Sequence, residues 1–278
     1  MPNGLNRDKR IVLITGASSG IGLATAYTLA SSNSHLYLVG RNKDRLQAVA
    51  ADVRATAVFA DLADPVQIGQ IAAEIERLAG RLDLLVNCAG QLAVGRADEL
   101  GVEAAERLIR VNYLGTVGVI HACLPLLRRG SAPVIVNVSS VAGRVAPPYM
   151  AAYAASKFAL TGYSHALRQE LQPEGIHVGL VLPGPVDTPM VRDRLGGPHY
   201  PLPPGTPVLT AERVAKAVVA VVEQRLAEVF VPRRLAAPTR LGSAFPALVD
   251  RMYRRISGSR ASRGSGSAAV HGYPGKES

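Results

Sequence analysis

The sequence predicts an α/β fold: a doubly wound parallel sheet of about seven strands, with helices on both faces. Three observations carry that prediction. Short β-branched runs alternate with helix-like stretches, the pattern of βαβ units. The strand runs are apolar almost throughout, as in sheets buried on both sides. The chain has 278 residues, a length that one such domain fills.

The elements follow in order. Residues 11–15 (IVLIT) read as the first strand and 20–32 as the first helix. Residues 35–39 (HLYLV) form the second strand, 43–51 the second helix and 57–60 a short third strand. Pro65 opens the next helix, where its missing N–H costs nothing, and Gly80 stops it. Residues 84–87 are the fourth strand, followed by helical stretches at 102–112 and 115–129. Residues 134–139 (VIVNVS) are the fifth strand, 153–171 a long helix and 176–182 the sixth strand. A Pro- and Gly-rich stretch without periodicity covers 183–207, before a helix at 211–224 and a last strand at 228–231. A single domain spanning 1–257 is expected, with a disordered tail at 258–278, where the composition is polar and glycine-rich.

Composition excludes several classes. No run of 18 apolar residues is present, so nothing forces a helix across a membrane. The start of the chain is polar and lacks a signal peptide's apolar core, which gives a cytoplasmic expectation. Cys88 and Cys123 make no CxxC pair, and His35, His121, His165, His177, His199 and His271 are scattered, so no metal site is expected. Asp98, Glu99, Glu103 and Glu106 read as a solvated helix face. The net charge of +10 is concentrated at the end: nine cationic residues beyond Pro232 oppose only Asp250 and Glu277. That segment has no base-reading module and little aromatic interleaving, so no nucleic-acid partner is expected.

The chemistry-bearing residues lie at strand ends. Thr15-Gly16-Ala17-Ser18-Ser19-Gly20-Ile21-Gly22 joins the first strand to the first helix. Glycines let backbone approach a pyrophosphate there, and the helix N-terminus offers it amides and a positive dipole end. Tyr153 and Lys157 stand four apart, hence one helical turn apart on one face. A phenol of pKa about 10 is a poor proton donor at neutral pH; a neighbouring ammonium favours the phenolate and makes it a usable acid/base. Ser140, after the fifth strand, is placed to hydrogen-bond a substrate carbonyl. Asn87-Cys88-Ala89-Gly90 ends the fourth strand on the same edge, and Asn112 lies in a helix between them.

With these motifs in order, the chain resembles the short-chain dehydrogenase/reductase family over residues ~10–232, under a Rossmann-like sheet. TGASSGIG, Asp61-Leu62, NCAG, Asn112, the serine before the tyrosine, YAASK and PGPVDT carry the resemblance. It implies that Tyr153 is the catalytic acid/base, that Lys157 tunes it and contacts a ribose, that Ser140 orients substrate and that Asn112 holds a proton-relay water. It implies cofactor contacts at Gly16, Ser18, Ser19, Gly20, Ile21 and Gly22. Asp61 and Leu62 would border adenine, and Asn87, Ala89 and Gly90 the ribose side. Pro183, Gly184, Val186 and Thr188 would hold the nicotinamide carboxamide. One departure is visible: Cys88 replaces the second asparagine of the usual NNAG.

The end of the second strand bears on the cofactor. An NAD site needs an acid there for the ribose 2′-hydroxyl; this chain has Gly40-Arg41-Asn42. A guanidinium suits a 2′-phosphate, so NADP is expected over NAD. The implied activity is hydride transfer between the nicotinamide and a small-molecule carbonyl or secondary alcohol. Alternatives are a cofactor-binding sensor of the same fold, against which the complete Asn-Ser-Tyr-Lys set argues, and epimerase or dehydratase chemistry. The segment 190–207, with His199 and Tyr200, is lid-like and rather apolar, suggesting a hydrophobic substrate.

Two expectations concern surfaces. The family is commonly dimeric or tetrameric, and Leu108, Ile109, Val119, Ile120, Leu124, Leu126 and Leu127 look like surplus apolar surface for a homodimer or homotetramer. From about residue 233 a basic amphipathic extension is expected, broken at Pro246, with Leu235, Leu241, Phe245, Leu248, Val249, Met252 and Ile256 as its stripe. The stripe packs on the body beside the substrate lid, meets another subunit, or makes weak contact with an anionic membrane surface.

Overall fold

The computed structural model describes residues 9–31, 33–192 and 207–261. Seven parallel strands form the sheet: β1 (Arg10–Thr15), β2 (Ser34–Gly40), β3 (Thr56–Phe59), β4 (Leu84–Asn87), β5 (Val134–Val138), β6 (His177–Pro183) and β7 (Glu228–Val231). Their spatial order is β3-β2-β1-β4-β5-β6-β7. The chain winds outward from β1 in one direction and then from β4 in the other. That reversal leaves a crevice at the C-terminal edge, beside β1 and β4.

Helices cover both faces. They are α1 (Gly20–Leu29), α2 (Lys43–Asp52), α3 (Pro65–Leu78), α4 (Ala97–Ile109), α5 (Gly115–Leu127), α6 (Ala151–Leu171), α7 (Pro189–Arg192), α8 (Ala211–Gln224), α9 (Ala236–Ala244) and α10 (Pro246–Ala261). Strand side chains alternate between two cores. Val12, Ile14, Leu36 and Val136 pack with α1, α2 and α8 residues such as Ala24, Leu46 and Val218. Ile11, Leu13, Leu85 and Ile135 pack on the other side with Ile71, Ile120 and Leu167 from α3, α5 and α6. This two-sided burial is why the strands read as unbroken apolar runs.

Local chemistry sets the boundaries. Asn42 caps α2 by accepting from the Arg45 amide. Asp64 accepts from the Val66 amide, with Pro65 at the first position of α3. Thr210 caps α8 through the Arg213 amide. The first helix ends at Leu29, three residues before the expected stop, and α4 starts at Ala97, five before its expected start. The early start of α4 is interrupted at Gly101, whose φ of 69° is not helical. Pro246 breaks the C-terminal extension as expected, but α10 continues to Ala261, past the expected boundary at 257. The segment 193–206, with His199 and Tyr200, and the residues from 262 onward lie outside the described residues.

The stretch Ala97–Leu127 is long and apolar enough, by length and composition, to cross a membrane. Its apolar side is instead buried within the one chain: Leu108 on α4, which packs on α6, and Val119, Ile120, Leu126 and Leu127 on α5, which join the core against the sheet. That corrects their reading as surplus surface for assembly. A helix face packed on a parallel sheet needs an apolar stripe of this width. The large apolar side chains left exposed here are Val102 and Leu114, with Phe158 on α6.

Candidate active site

The parallel register sets polar groups side by side at the C-terminal edge. Thr15 pairs with Asn87, and Asn87 with Asn137. Asn87 Nδ2 donates to Asn137 Oδ1 at 2.9 Å, and Asn137 Nδ2 donates to Ser164 Oγ on α6 at 2.9 Å. Thr15 Oγ1 accepts from the Ala89 amide at 3.2 Å. Above this belt lies a cavity of about 830 Å³, within the usual size of a small-molecule site.

One end of the cavity is the glycine loop. Gly16 sits at φ +70°, and a Cβ there would fall 2.8 Å from Ala89 backbone; a Cβ on Gly22 would fall 2.3 Å from the Gly16 carbonyl oxygen. Only glycine lets strand, loop and helix approach this closely. Ser19 precedes α1 in extended conformation and makes no side-chain cap. The first-turn amides of α1 therefore remain available, and no acid stands in that turn. This cradle suits a pyrophosphate. Beside it, Arg41, Asn42, Asp61 and Leu62 line the wall. Arg41 Nη1 lies 3.6 Å from Asp61 Oδ2, a pair in which the side chains are 60% and 37% exposed. So exposed a pair holds by about 1 kcal/mol or less and opens easily to a competing anion.

Opposite the loop, the chain after β6 folds back onto it. Val186 bridges to Leu209, and the Asp187 amide donates to the Leu209 carbonyl at 2.7 Å. The Thr188 methyl packs against Gly20. Pro183, Gly184, Val186 and Thr188 all line the cavity.

The centre belongs to β5 and α6. Ser140 opens a single 3₁₀ turn (Val141–Gly143), accepting from the Ala142 amide at 3.1 Å and donating to the Pro183 carbonyl at 3.4 Å. Gly143 lets that turn sit against α6: a Cβ would fall 2.7 Å from the Lys157 carbonyl oxygen. Tyr153 lies in the first turn of α6 and Lys157 in the next, with Nζ 5.9 Å from the tyrosine ring centre. Lys157 is 5% exposed, and Nζ donates to the Val138 carbonyl at 3.1 Å. Burial pushes its pKa down to about 8, opposed by the nearby Cys88.

Most of the residues expected from sequence meet at this cavity; two do not line it. Asn87 is 2% exposed and lies in the belt beneath, bonded to Asn137. Asn112 is fully buried in a π-helical turn (Arg110–Leu114) between α4 and α5, not in a regular helix. Its Oδ1 accepts from the Gln91 amide at 2.7 Å, and Nδ2 donates to the Gln91 carbonyl and to Ser156 Oγ at 2.9 Å. Ser156 Oγ in turn donates to the Tyr153 carbonyl at 2.7 Å. Asn112 thus positions the chain after β4 and, through Ser156, the first turn of α6.

Ser156 and Gln91 were not singled out from sequence. The only cue for Ser156 is a polar residue between Tyr153 and Lys157 on a helix that must be buried. Cys88 is half-buried in the cavity wall, packed against core residues beside β4, and burial raises its thiol to about 12. The far end of the cavity is apolar. It is walled by Leu92, Val145, Met150 and Val191, and by Leu235, Val249 and Tyr253 of the extension. Burial also raises the Tyr253 pKa.

The family model described as short chain dehydrogenase matches residues 10–196. An uncharacterized oxidoreductase of Staphylococcus epidermidis is 34% identical over 213 residues, covering 76% of this chain and 90% of that protein. Dehydrogenase/reductase SDR family member 7B of Danio rerio is 35% identical over 205 residues, covering 69% of this chain and 66% of that one. A crystal structure of a short chain dehydrogenase/reductase from Burkholderia phymatum, in complex with NAD, superposes with a TM-score of 0.77 at 25% identity. It covers 88% of this chain and 96% of that one.

Proposed function

The chain belongs to the short-chain dehydrogenase/reductase family, an oxidoreductase fold built for a nicotinamide cofactor, and from that premise we propose an NADP(H)-dependent reductase or dehydrogenase. Its substrate is a hydrophobic carbonyl compound or the matching secondary alcohol, and Tyr153 is its acid/base. The observation that carries the reading is the shared cavity: glycine loop, Ser140, Tyr153 and Lys157 line one space with an apolar far end.

When bound, the reduced cofactor supplies a hydride to the carbonyl carbon. The residues of this chain do the rest. Ser140 turns its hydroxyl from the Pro183 carbonyl, a long 3.4 Å bond, toward the substrate oxygen. Tyr153 gives its phenolic proton to that oxygen, so carbonyl, hydride and proton become alcohol. Lys157, charged below about pH 8, favours the phenolate that remains. The apolar end excludes water from the reacting carbon and selects for apolar substituents.

Preference for the phosphorylated cofactor rests on Arg41. Arg41, not an acid, directly follows β2, and among the described residues its guanidinium is held by an exposed contact with Asp61. Arg41 would hold a 2′-phosphate with its guanidinium in place of that carboxylate. The first experiment is to follow NADPH absorbance over a panel of apolar aldehydes and ketones, and NADP⁺ reduction with the alcohols. The second titrates NADPH and NADH into the parent and Arg41→Ala. NADPH affinity is expected to fall about ten- to hundredfold relative to NADH. Equal weakening of both, or a parent that prefers NADH, overturns the cofactor assignment.

A further inference from the structure

The apolar end of the cavity opens at the joint between α9 and α10. Leu241 and Leu248 line the cavity, yet are 56% and 55% exposed. They therefore stand at its mouth. Phe245, between them, is 57% exposed and is no part of the cavity wall. The Phe245 amide bonds the Leu241 carbonyl, and the Leu248 amide bonds the Phe245 carbonyl, so the three occupy successive turns. The sequence stripe is thus divided: Leu235 and Val249 turn to the cavity, and the joint turns three large apolar groups outward.

Charge surrounds this tip. Arg251 and Arg254 are exposed on α10, and Arg233 and Arg234 are exposed just before α9; Arg240 on α9 is exposed too, but shares its charge with Glu228 at 3.3 Å. From 233 to 261 the chain holds seven arginines and a single acid, Asp250. A second copy placed on the tip by a two-fold axis would bring the same positive charge against itself. An apolar tip ringed by arginines matches an anionic lipid surface, which takes the side chains into its interface and the guanidiniums onto its head groups.

We propose that the α9–α10 joint docks this protein on an anionic bilayer, with Phe245, Leu241 and Leu248 entering the interface and the cavity mouth facing lipid. An apolar substrate dissolved in the bilayer then enters without crossing water. That consequence rests on the proposed activity; the docking does not.

The test sediments the full chain with vesicles of phosphatidylcholine alone and of phosphatidylcholine mixed with phosphatidylglycerol. Partition is expected to favour the mixed vesicles by about tenfold or more, and to fall as salt is raised. Phe245→Glu, and separately Arg251→Glu with Arg254→Glu, should each lower it about tenfold. NADPH binding, read by fluorescence, and molar mass, read by light scattering, should match the parent in both. No preference for the mixed vesicles, or variants that sediment like the parent, overturns the proposal. So does a drop in mass in Phe245→Glu, which would mean that a second copy covers the tip. Lipid binding by a parent that does not bind NADPH upholds the docking and overturns the activity instead.

Discussion

At the N-terminal edge of the sheet Asp83 is 2% exposed, and at the C-terminal edge Lys157 is 5% exposed. The two buried charges are treated differently. Asp83 accepts from the Ile11 amide at 2.7 Å and from the Ser131 amide at 2.6 Å, and Arg81 stands 3.5 Å away. Its carboxylate ties β1, β4 and the turn before β5 together. Lys157 donates to one carbonyl, that of Val138, and burial drags its pKa toward neutrality. A satisfied buried charge holds structure, whereas an under-satisfied one is kept at a cost to stability. The difference fits the proposed activity, which needs a group poised to shift its charge at the edge where substrate would arrive.

Breaking the structural edge should have the largest effect on stability. Asp83→Ala strands the Ile11 and Ser131 amides and removes the acid beside Arg81, and is expected to cost about 2–5 kcal/mol in denaturant unfolding. Turnover per folded molecule should stay within about threefold, because the edge is remote from the cavity. A loss below about 1 kcal/mol would show that Asp83 does not clamp the sheet.

Replacing the charge at the working edge should do the reverse. The folded state releases the Lys157 proton near pH 8, while the unfolded chain holds it to its ordinary value of 10.5. Between those values the unfolded state binds more protons, so parent stability from this group rises with pH. Below about pH 8 the burial penalty is present in full. Lys157→Met removes it and should stabilise by about 1–3 kcal/mol at pH 7, less at pH 10, while abolishing useful turnover. A variant less stable than the parent at pH 7 would contradict the comparison.

The smallest effect is expected at Cys88, which lies at the C-terminal edge and takes no part in the proposed chemistry. Its thiol is held near 12 by burial, so little thiolate exists at pH 8. Iodoacetamide should label the native protein far more slowly than the unfolded chain, and Cys88→Ala should keep kcat/KM within about threefold. Rapid native labelling of Cys88 would show an environment unlike the one described.

How much of this was legible in the sequence follows from the range of each interaction. The strands, the capped helices α2, α3 and α8, and the break at Pro246 are set by residues near in the chain, and the sequence pattern located them. The cavity residues were legible because glycine spacing and the Tyr-Lys pair are local as well. Asn112 and Asn87 were found as residues but not as positions: their burial depends on Gln91, Ser156 and Asn137, up to 50 residues away. The apolar side of α4 and α5 was misassigned outward, since periodicity shows that a stripe exists and not which neighbour takes it. The Arg41–Asp61 contact was missed for the same reason: β2 and β3 bring their ends together only in the folded sheet.

The central claim is that the C-terminal edge moves a proton through Tyr153. The most direct measurement is kcat for Tyr153→Phe on the best carbonyl of the NADPH screen, beside the NADPH Kd of the same protein. Removing the hydroxyl leaves the ring and the charge of Lys157, so Kd should stay within about threefold while kcat falls by about 10²–10⁴. A variant that binds NADPH normally and keeps kcat within tenfold of the parent would contradict the account.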